Sequence, residues 1–555
     1  MQISLFIFNA DIPCTIALTD IKVLLIDGYT DDPAALGVPP YISPMARSVA
    51  GAAKDAGAAV EYVTVDKIRK GCVIPKADVS VLLSGNTVPG RYLRSMPMSS
   101  NEIAHLLPKL SGWKLIGGPS ASSDEARGFD FRIEKDLAAS LYDGITGKEV
   151  NERLRTMDEW NRWMLLGADI VKEHQDFPVP LIAEIETYRG CHRFMSGGCS
   201  YCIEPLKGKP LMRSPRDILE EAAELKKLGV RNIRVGGQTC IISYGSEDFL
   251  GIPKPCPDMI DELFTGLKEM RFDVLHTDNA NPAVISSHPH ESEAVLRTLT
   301  ECCTSGNVLA LGMESADMNV IKENNLNSAP EQVVDAVRMI NRIGAERGEN
   351  GMPKLLPGLN FISGLDGETK MTYTANINFL KTLLSEKLMV RRINIRQVLP
   401  VRKEFNVKVD RNTFKRFKQE VRETIDAPML EMIVPAGTVL KNVYLEIIDN
   451  GITFGRQIGT YPLLIGIPYK TDVNRFCDVI VTEYGFRSVT GTEYPFPLNT
   501  ANMTAIATLP GIGKKRAARI VAARPIRTKE ELIAALDDAD AAERIAGIIS
   551  FTERS

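Results

Sequence analysis

Glu184-Ile185-Glu186-Thr187-Tyr188-Arg189-Gly190-Cys191-His192-Arg193-Phe194-Met195-Ser196-Gly197-Gly198-Cys199-Ser200-Tyr201-Cys202 is the stretch on which the reading of the fold turns. A strand over Glu184–Tyr188 runs straight into three cysteines spaced C-x7-C-x2-C. A cubane iron–sulfur cluster has four irons, each normally held by one thiolate. Three thiolates leave one iron open to a small chelating molecule. Gly197, Gly198 and Ser200 let the chain wrap tightly and offer backbone N–H groups to the cluster sulfides. Two plainer readings stand beside this one: a structural zinc site closed by a fourth ligand such as His192, or inert buried thiols. The remaining cysteines (Cys14, Cys72, Cys240, Cys256, Cys302, Cys303 and Cys477) are scattered and read as small core residues.

Strand–helix alternation extends from this loop in both directions. Downstream, polar or glycine-rich strand ends occur at Gly237, Asn279, Glu314, Gly364 and Gln397. Six such units predict a partial (β/α)6 barrel over 178–400, with its chemistry at the carboxyl ends of the strands. Upstream, Ile21–Ile26, Val60–Val65, Val79–Leu83 and Leu115-Ile116 alternate with helical patterns, which predicts a parallel, doubly wound Rossmann-like domain over 21–148. Residues 1–20 read as an N-terminal extension, either an extra strand or the product of a start codon placed too far upstream. Residues 149–177 read as a helical linker and 401–430 as a helical connector. Short β runs over 431–500 predict a small antiparallel barrel, and 501–555 is helical. Each of the 555 residues belongs to a chain of ordinary composition with net charge -4. That balance gives no whole-protein attraction to nucleic acid or anionic membrane. No apolar run is long enough to span a membrane, and three crowded cysteines without a disulfide framework fit a reducing, cytoplasmic setting.

The three-cysteine loop after the first barrel strand, with Tyr201 directly before the last cysteine, resembles the radical SAM superfamily, although the first gap is wider than the usual C-x3-C-x2-C. Later strand ends fit the same resemblance. Gly236-Gly237-Gln238 stands where the superfamily binds the SAM amino group through backbone carbonyls, with Gln in place of the more usual Glu. Gly312-Met313-Glu314-Ser315 places Glu314 where relatives touch SAM. Phe361–Thr369 resembles the fifth-strand motif, whose glycines let backbone approach adenine. The resemblance implies a [4Fe-4S] cluster on Cys191, Cys199 and Cys202, S-adenosyl-L-methionine as cofactor, and an external electron donor of the ferredoxin or flavodoxin type. Tyr188, His276 and Asp278, with Asn279 and Asn281, are the expected hydrogen-relay or substrate-contacting residues.

The N-terminal turns, Asp27-Gly28-Tyr29, Ser84-Gly85-Asn86-Thr87 and Gly117-Gly118-Pro119, resemble those of the cobalamin-binding domain in class B radical SAM methyltransferases. Tyr29 stands where cobalamin proteins with a lower axial His carry that residue, so His ligation from this loop is ruled out. A Rossmann-like domain without a ligand is the alternative. The β module resembles a TRAM-like barrel. Leu509-Pro510-Gly511-Ile512-Gly513 matches a helix–hairpin–helix turn flanked by Lys514, Lys515 and Arg516, for nucleic acid or for protein docking. This order of domains resembles an archaeal radical SAM family. It implies a cobalamin-dependent C-methyltransferase acting on a protein residue, with a glutamine of methyl-coenzyme M reductase as the candidate substrate. The competing expectation is a tRNA-modifying enzyme such as a methylthiotransferase. That activity needs a second cluster, and only Cys14 and Cys72 precede Cys191.

Overall fold

Lys22–Asp27 (β1) buries Val23, Leu24, Leu25 and Ile26 almost completely. A continuous apolar run of this kind suits a parallel strand covered on both faces. The computed structural model describes residues 21–30, 40–85, 95–150 and 152–551. These fall into two compact units. The first is Met1–Gly190 with Pro210–Gln238 and Asp258–Thr277. The second is Cys191–Lys209 with Thr239–Pro257 and Asp278–Ser555. The predicted extension over 1–20, together with Asn86 and Thr87, lies outside the described residues.

In the first unit, β1 is joined by Ala59–Thr64 (β2), Val79–Leu83 (β3), Trp113–Gly117 (β4) and Phe131–Ile133 (β5). All pair in parallel, in the order β2-β1-β3-β4-β5. This is the flavodoxin-like winding, and its strand order reverses between β1 and β3. Helix α1 (Pro44–Asp55) starts on a Ser43 cap with proline at its first position. Helix α2 is Leu137–Ile145, and helix α3 (Met157–Leu166) falls in the segment expected to be a linker. Its Trp160 and Trp163 are fully buried. A Cβ at Gly51 of α1 would stand 1.9 Å from the Trp163 carbonyl oxygen, so glycine sets how closely α1 and α3 approach.

The same unit holds a second parallel sheet. Its strands are Ile182–Glu186 (β6), Asn232–Gly236 (β7) and Val274–Thr277 (β8), ordered β8-β7-β6 with the short strand Tyr41–Ile42 at the edge. Glu221 of helix α4 (Pro215–Leu228) is wholly buried between the guanidinium groups of Arg47 and Arg213. Arg47 also donates to the Glu184 carbonyl oxygen, and Arg213 to that of Glu186 at 3.2 Å. Burial alone would raise the Glu221 pKa, but the two cations outweigh it and hold it below the usual carboxylate value. One carboxylate therefore ties α1 to the hydrogen-bonding edge of β6.

In the second unit, Asn307–Glu314 (β9), Leu355–Ser363 (β10) and Arg392–Gln397 (β11) form a parallel sheet, and Ala280 pairs in parallel with Leu311. A closed barrel follows. Val439–Asp449 (β12), Ile452–Gln457 (β13), Leu464–Ile467 (β14), Arg475–Tyr484 (β15) and Ser488–Tyr494 (β16) run in the order β12-β13-β14-β16-β15. The expected all-antiparallel pattern is corrected at one seam, because β14 and β16 pair in parallel. These two strands are separated by β15 along the chain, so no hairpin dictates antiparallel pairing. The helices after Met503 pack Leu509, Ile512, Ala517 and Ile520 into the same core as this barrel. The α/β class, with strand–helix repeats and a small closed C-terminal barrel, is as the sequence reads. No helix among the described residues is long and apolar enough to cross a membrane.

Two predictions follow from the buried charges of the first unit. Glu221→Ala strands two buried cations and lowers its unfolding free energy by about 3–5 kcal/mol, read by denaturant titration. Asp136 caps α2 and binds Arg155 through two 2.7 Å bonds. Burial would raise its pKa, but Arg155 and then Arg189 pull it down to about 2. A depressed folded-state pKa stabilises above the unfolded value near ~4 and loses that stabilisation as pH falls. Asp136→Asn is therefore less stable than the parent at neutral pH, by about 2 kcal/mol. The difference closes between about pH 4 and pH 2 in pH-resolved denaturation.

Candidate active site

The loop from Cys191 to Cys202 is short of regular secondary structure, and distant side chains fix its shape. Arg402 Nη1 donates to three of its carbonyl oxygens, at 2.7 Å to Gly197, 3.0 Å to Cys199 and 3.3 Å to Cys202. Asn325 Nδ2 donates to Ser196 O at 3.1 Å and Gly198 O at 2.8 Å. Arg193 donates to the Cys199 sulfur at 3.3 Å while its other nitrogen holds Asn325. Gly198 has φ +60°, and a Cβ there would stand 2.2 Å from Pro205 Cγ, so this turn requires glycine. One expectation is corrected. The Ser200 N–H is donated to the Asn324 carbonyl oxygen at 3.0 Å instead of pointing to the sulfurs. Among the loop's N–H groups, that of Arg193 lies 3.5 Å from Cys191 Sγ.

All three cysteines line one cavity of about 700 Å³, together with Tyr201 and Glu314. A volume of this order is typical for a drug-sized or cofactor-sized ligand. Burial pushes the Cys199 thiol up to about 12 and Cys202 to about 11, and raises Cys191 as well. A bound metal reverses that, since a coordinating thiol is deprotonated outright. Among the described residues no three Cys, His, Asp or Glu side chains converge on a single metal ion. A cubane does not need them to converge, because each thiolate takes a different iron. Three thiols on one cavity fit the donor set of a cubane, which takes one thiolate per iron. His192, the fourth ligand in the zinc reading, stacks on Phe249 with ring centroids 5.5 Å apart, and its Nε2 lies 3.3 Å from the Ser246 carbonyl oxygen.

Glu314 ends β9 on a register shift and has φ +49°. A left-handed conformation on a glutamate is strained and persists where its surroundings impose it. The Tyr201 hydroxyl bonds its carboxylate, and burial raises the Glu314 pKa to about 7 against the opposing pull of Tyr201 and Arg193. Asn279 is also left-handed, at φ +49°, and lines the cavity with Asn281.

Other predicted residues are placed differently. Asp278 accepts from the Tyr461 hydroxyl at 2.7 Å and from the Asn279 N–H at 2.6 Å. Its carboxylate is thus committed to the segment between β13 and β14. Tyr188, Gly236, Gly237, Gln238 and His276 belong to the first unit. There Tyr188 is fully buried beside Met212, and His276 is buried in β8 opposite Arg234. The Gln238 side chain accepts from Thr187 at 3.1 Å and donates to Val235 O at 3.3 Å. Gly236 and Gly237 are hemmed in by the side chains of Glu184 and Glu186. At the fifth-strand glycines, a Cβ on Gly364 would meet Val409 at 2.8 Å and one on Gly367 would meet Asn319 at 2.6 Å. Cys240, read as a core residue, is buried and also lines the cavity. Arg402 and Asn325 were not anticipated, because nothing in their local sequence marks a residue that braces a loop so far away along the chain.

At the switch point of the N-terminal sheet, Tyr29 has φ +61°. Its hydroxyl donates to Asp66 at 3.0 Å and accepts from Gln175 at 2.9 Å, and its backbone N–H reaches Asp27. The adjoining turns are stitched together by backbone. Gly28 N–H donates to Leu83 O, Gly85 N–H to Tyr29 O and Ser84 N–H to Gly117 O. A Cβ at Gly118 would stand 2.7 Å from the Ser84 carbonyl oxygen. Pro119 continues the same turn.

Residues 185–379 match the Radical SAM superfamily. The chain is 42% identical over 504 residues to an uncharacterized protein of Methanocaldococcus jannaschii, covering 85% of this chain and 93% of that one. It is 28% identical over 204 residues to tRNA-2-methylthio-N(6)-dimethylallyladenosine synthase of Protochlamydia amoebophila, covering 36% of this chain and 40% of that one. A similar solved structure is the apo, SeMet-labeled cobalamin-dependent S-adenosylmethionine radical enzyme OxsB, at 14% identity and TM-score 0.47, covering 75% of this chain and 56% of that one. A radical SAM domain implies a [4Fe-4S] cluster and S-adenosylmethionine as its cofactors. The chain is therefore a radical SAM enzyme, and it belongs to the same family as the Methanocaldococcus jannaschii protein.

Proposed function

We propose that Cys191, Cys199 and Cys202 hold a [4Fe-4S] cluster with one open iron, and that the enzyme C-methylates an unactivated carbon of a protein residue with the help of a corrinoid. The observation that carries the first part is the three thiols on one cavity wall beside Glu314 and Tyr201. When bound, the cluster supplies the electron that breaks the S–C5′ bond of SAM. The chain's own residues do the rest. Arg402 and Asn325 fix the loop carbonyls so that the three sulfurs keep their spacing. Glu314, held by Tyr201, offers a carboxyl at the end of β9 for a polar group of SAM. Asn279, Asn281 and Phe249 line the same cavity. The electron arrives from an external donor of the ferredoxin or flavodoxin type.

The corrinoid assignment rests on the sheet order, which creates a switch point at the carboxyl ends of β1 and β3, where ligands of such sheets bind. Ser84, Gly85, Gly117 and Gly118 would hold the cofactor there, on turns whose backbone segments pack directly against one another. A corrinoid would supply the methyl carrier. Tyr29 does not fit as a cobalt ligand, since both hydrogen-bonding capacities of its hydroxyl are used by Asp66 and Gln175.

A protein substrate is supported by the cavity mouth. Met195, Leu250 and Ile252 line it with 63%, 87% and 38% of their surface exposed. Clustered exposed apolar side chains of this size mark a surface that another molecule covers. A glutamine of methyl-coenzyme M reductase is the candidate acceptor. The tRNA-modifying alternative draws on the similarity to the Protochlamydia enzyme. A methylthiotransferase needs three further grouped cysteines, and Cys14 and Cys72 alone precede Cys191.

Anaerobic reconstitution with iron, sulfide and hydroxocobalamin separates these readings. The expected result is one cluster and one corrinoid per chain, with 5′-deoxyadenosine formed from SAM and lost to background in Cys199→Ala. A second cluster without retained corrinoid would replace the methyltransferase by the RNA-modifying reading. Arg402→Ala frees three loop carbonyls. It should raise the rate at which a chelator strips iron by roughly tenfold or more. Arg402→Lys keeps the charge without the fork and should restore only part of the resistance.

A further inference from the structure

Away from the cysteine loop, the second unit gathers more positive charge than it neutralises. Arg391 precedes β11, Arg392 opens it, and Lys418 lies on helix α5 (Arg411–Val421). Arg422 and Asp426 bound the π-helical turn that follows, and Arg487 sits in the turn between β15 and β16. Electrostatic coupling links Arg487 to Arg391, Arg392, Arg422 and Lys418, and the carboxylate coupled to Arg487, Arg391 and Arg422 is Asp426. Within this coupled set, four guanidinium groups and one ammonium stand against one carboxylate, a surplus of four positive charges. Even the nearest pair is loose, with Arg487 Nε 3.8 Å from Asp426 Oδ2. Arg391 Nε is buried with no hydrogen-bond partner. Arg392 lies over the Tyr461 ring, 4.1 Å from its centroid, which fixes the plane of its guanidinium.

Arginine does not escape burial by losing its proton, so buried guanidinium groups need an anion. Burial and then the neighbouring Arg487 and Arg392 pull the Arg391 pKa down to about 10, the direction expected where like charges crowd together. The π turn between Arg422 and Asp426 is a backbone form often found at functional sites. Arg487 and Asp426 keep 23% and 12% of their side chains exposed, so solutes reach the cluster from outside.

We infer that Arg391, Arg392, Arg422 and Arg487 form an oxyanion site for a phosphate group. One carboxylate is already present in Asp426 and leaves the surplus standing, whereas a divalent tetrahedral anion offers charge and several acceptor oxygens to planar, fork-shaped donors. The group arrives either as free phosphate or as the backbone of an RNA.

Full-length protein is titrated calorimetrically with inorganic phosphate against chloride at equal ionic strength, and by fluorescence anisotropy with a short labelled RNA. Saturable phosphate binding is expected. Arg487→Gln, at the exposed edge, should weaken it roughly tenfold or more, and Arg391→Gln is the inner variant. Asp426→Asn removes the competing carboxylate and should tighten it, a response that a merely structural ion pair would not give. RNA that binds, displaces phosphate and is lost in Arg487→Gln assigns the group to a nucleic-acid backbone. Phosphate binding without RNA competition assigns it to a free phosphate. Binding of neither ligand, or binding unchanged in both Arg487→Gln and Asp426→Asn, overturns the inference. Neither measurement involves SAM cleavage, so the result stands apart from the methyltransferase reading.

Discussion

The site depends on one interaction, the grip of the Arg402 guanidinium on the carbonyl oxygens of Gly197, Cys199 and Cys202. A cluster loop makes few backbone bonds of its own, since its chain must open outward around a bulky inorganic group. Carbonyls turned away from the sulfurs need donors from elsewhere, and a planar cation with several N–H groups satisfies more of them than any other side chain. From the end of the helix after β9, Asn325 donates to two more of these carbonyls, and Asn324 accepts from the Ser200 N–H and hydroxyl. Asn324 itself donates to the Asp366 carbonyl oxygen at 2.8 Å, so the loop is tied to the segment that follows β10. The three sulfurs inherit their arrangement from residues more than a hundred positions away.

Strain collects where the strands end. Tyr29, Asn279 and Glu314 all adopt left-handed backbone just beyond or at the end of a parallel strand. None is glycine, and each is held in place: Tyr29 by Asp66 and Gln175 and Glu314 by Tyr201 through their side chains, Asn279 by the hydrogen bond from Ile241 N–H to its backbone carbonyl oxygen, 2.9 Å. A chain leaving a parallel strand must turn sharply to enter its helix, and a residue at that corner points its side chain along the strand axis. This geometry puts polar groups where ligands of α/β folds bind.

Much of this was legible in the sequence because it is local. Continuous apolar runs marked β1 and β3, and a C-x7-C-x2-C spacing marked the loop, since both signals are complete within a few residues. The parallel seam between β14 and β16 was not legible, because Ser488–Tyr494 carries a central glycine and its partner lies across an intervening strand. Asp278 was read as a relay candidate from its place after β8. Its partner Tyr461 comes from a loop 183 residues later, and no local pattern announces that bond. The glycines of Phe361–Thr369 were legible as a motif, but their neighbours Val409 and Asn319 were not. Spacing reveals residue chemistry, whereas the occupant of the space next to a glycine is a property of the whole fold.

The C-terminal barrel and the helices after it share one apolar core with Val308 of β9, Met352 and Leu356 of β10. A terminal module that merely hung from the enzyme would be separable by proteolysis or gene truncation. Here, cutting the chain ahead of Val439 would unroof the base of two strands whose far halves carry Glu314 and Asn360. Any trimmed form of this protein must therefore replace that lost floor before its upper rim keeps its shape.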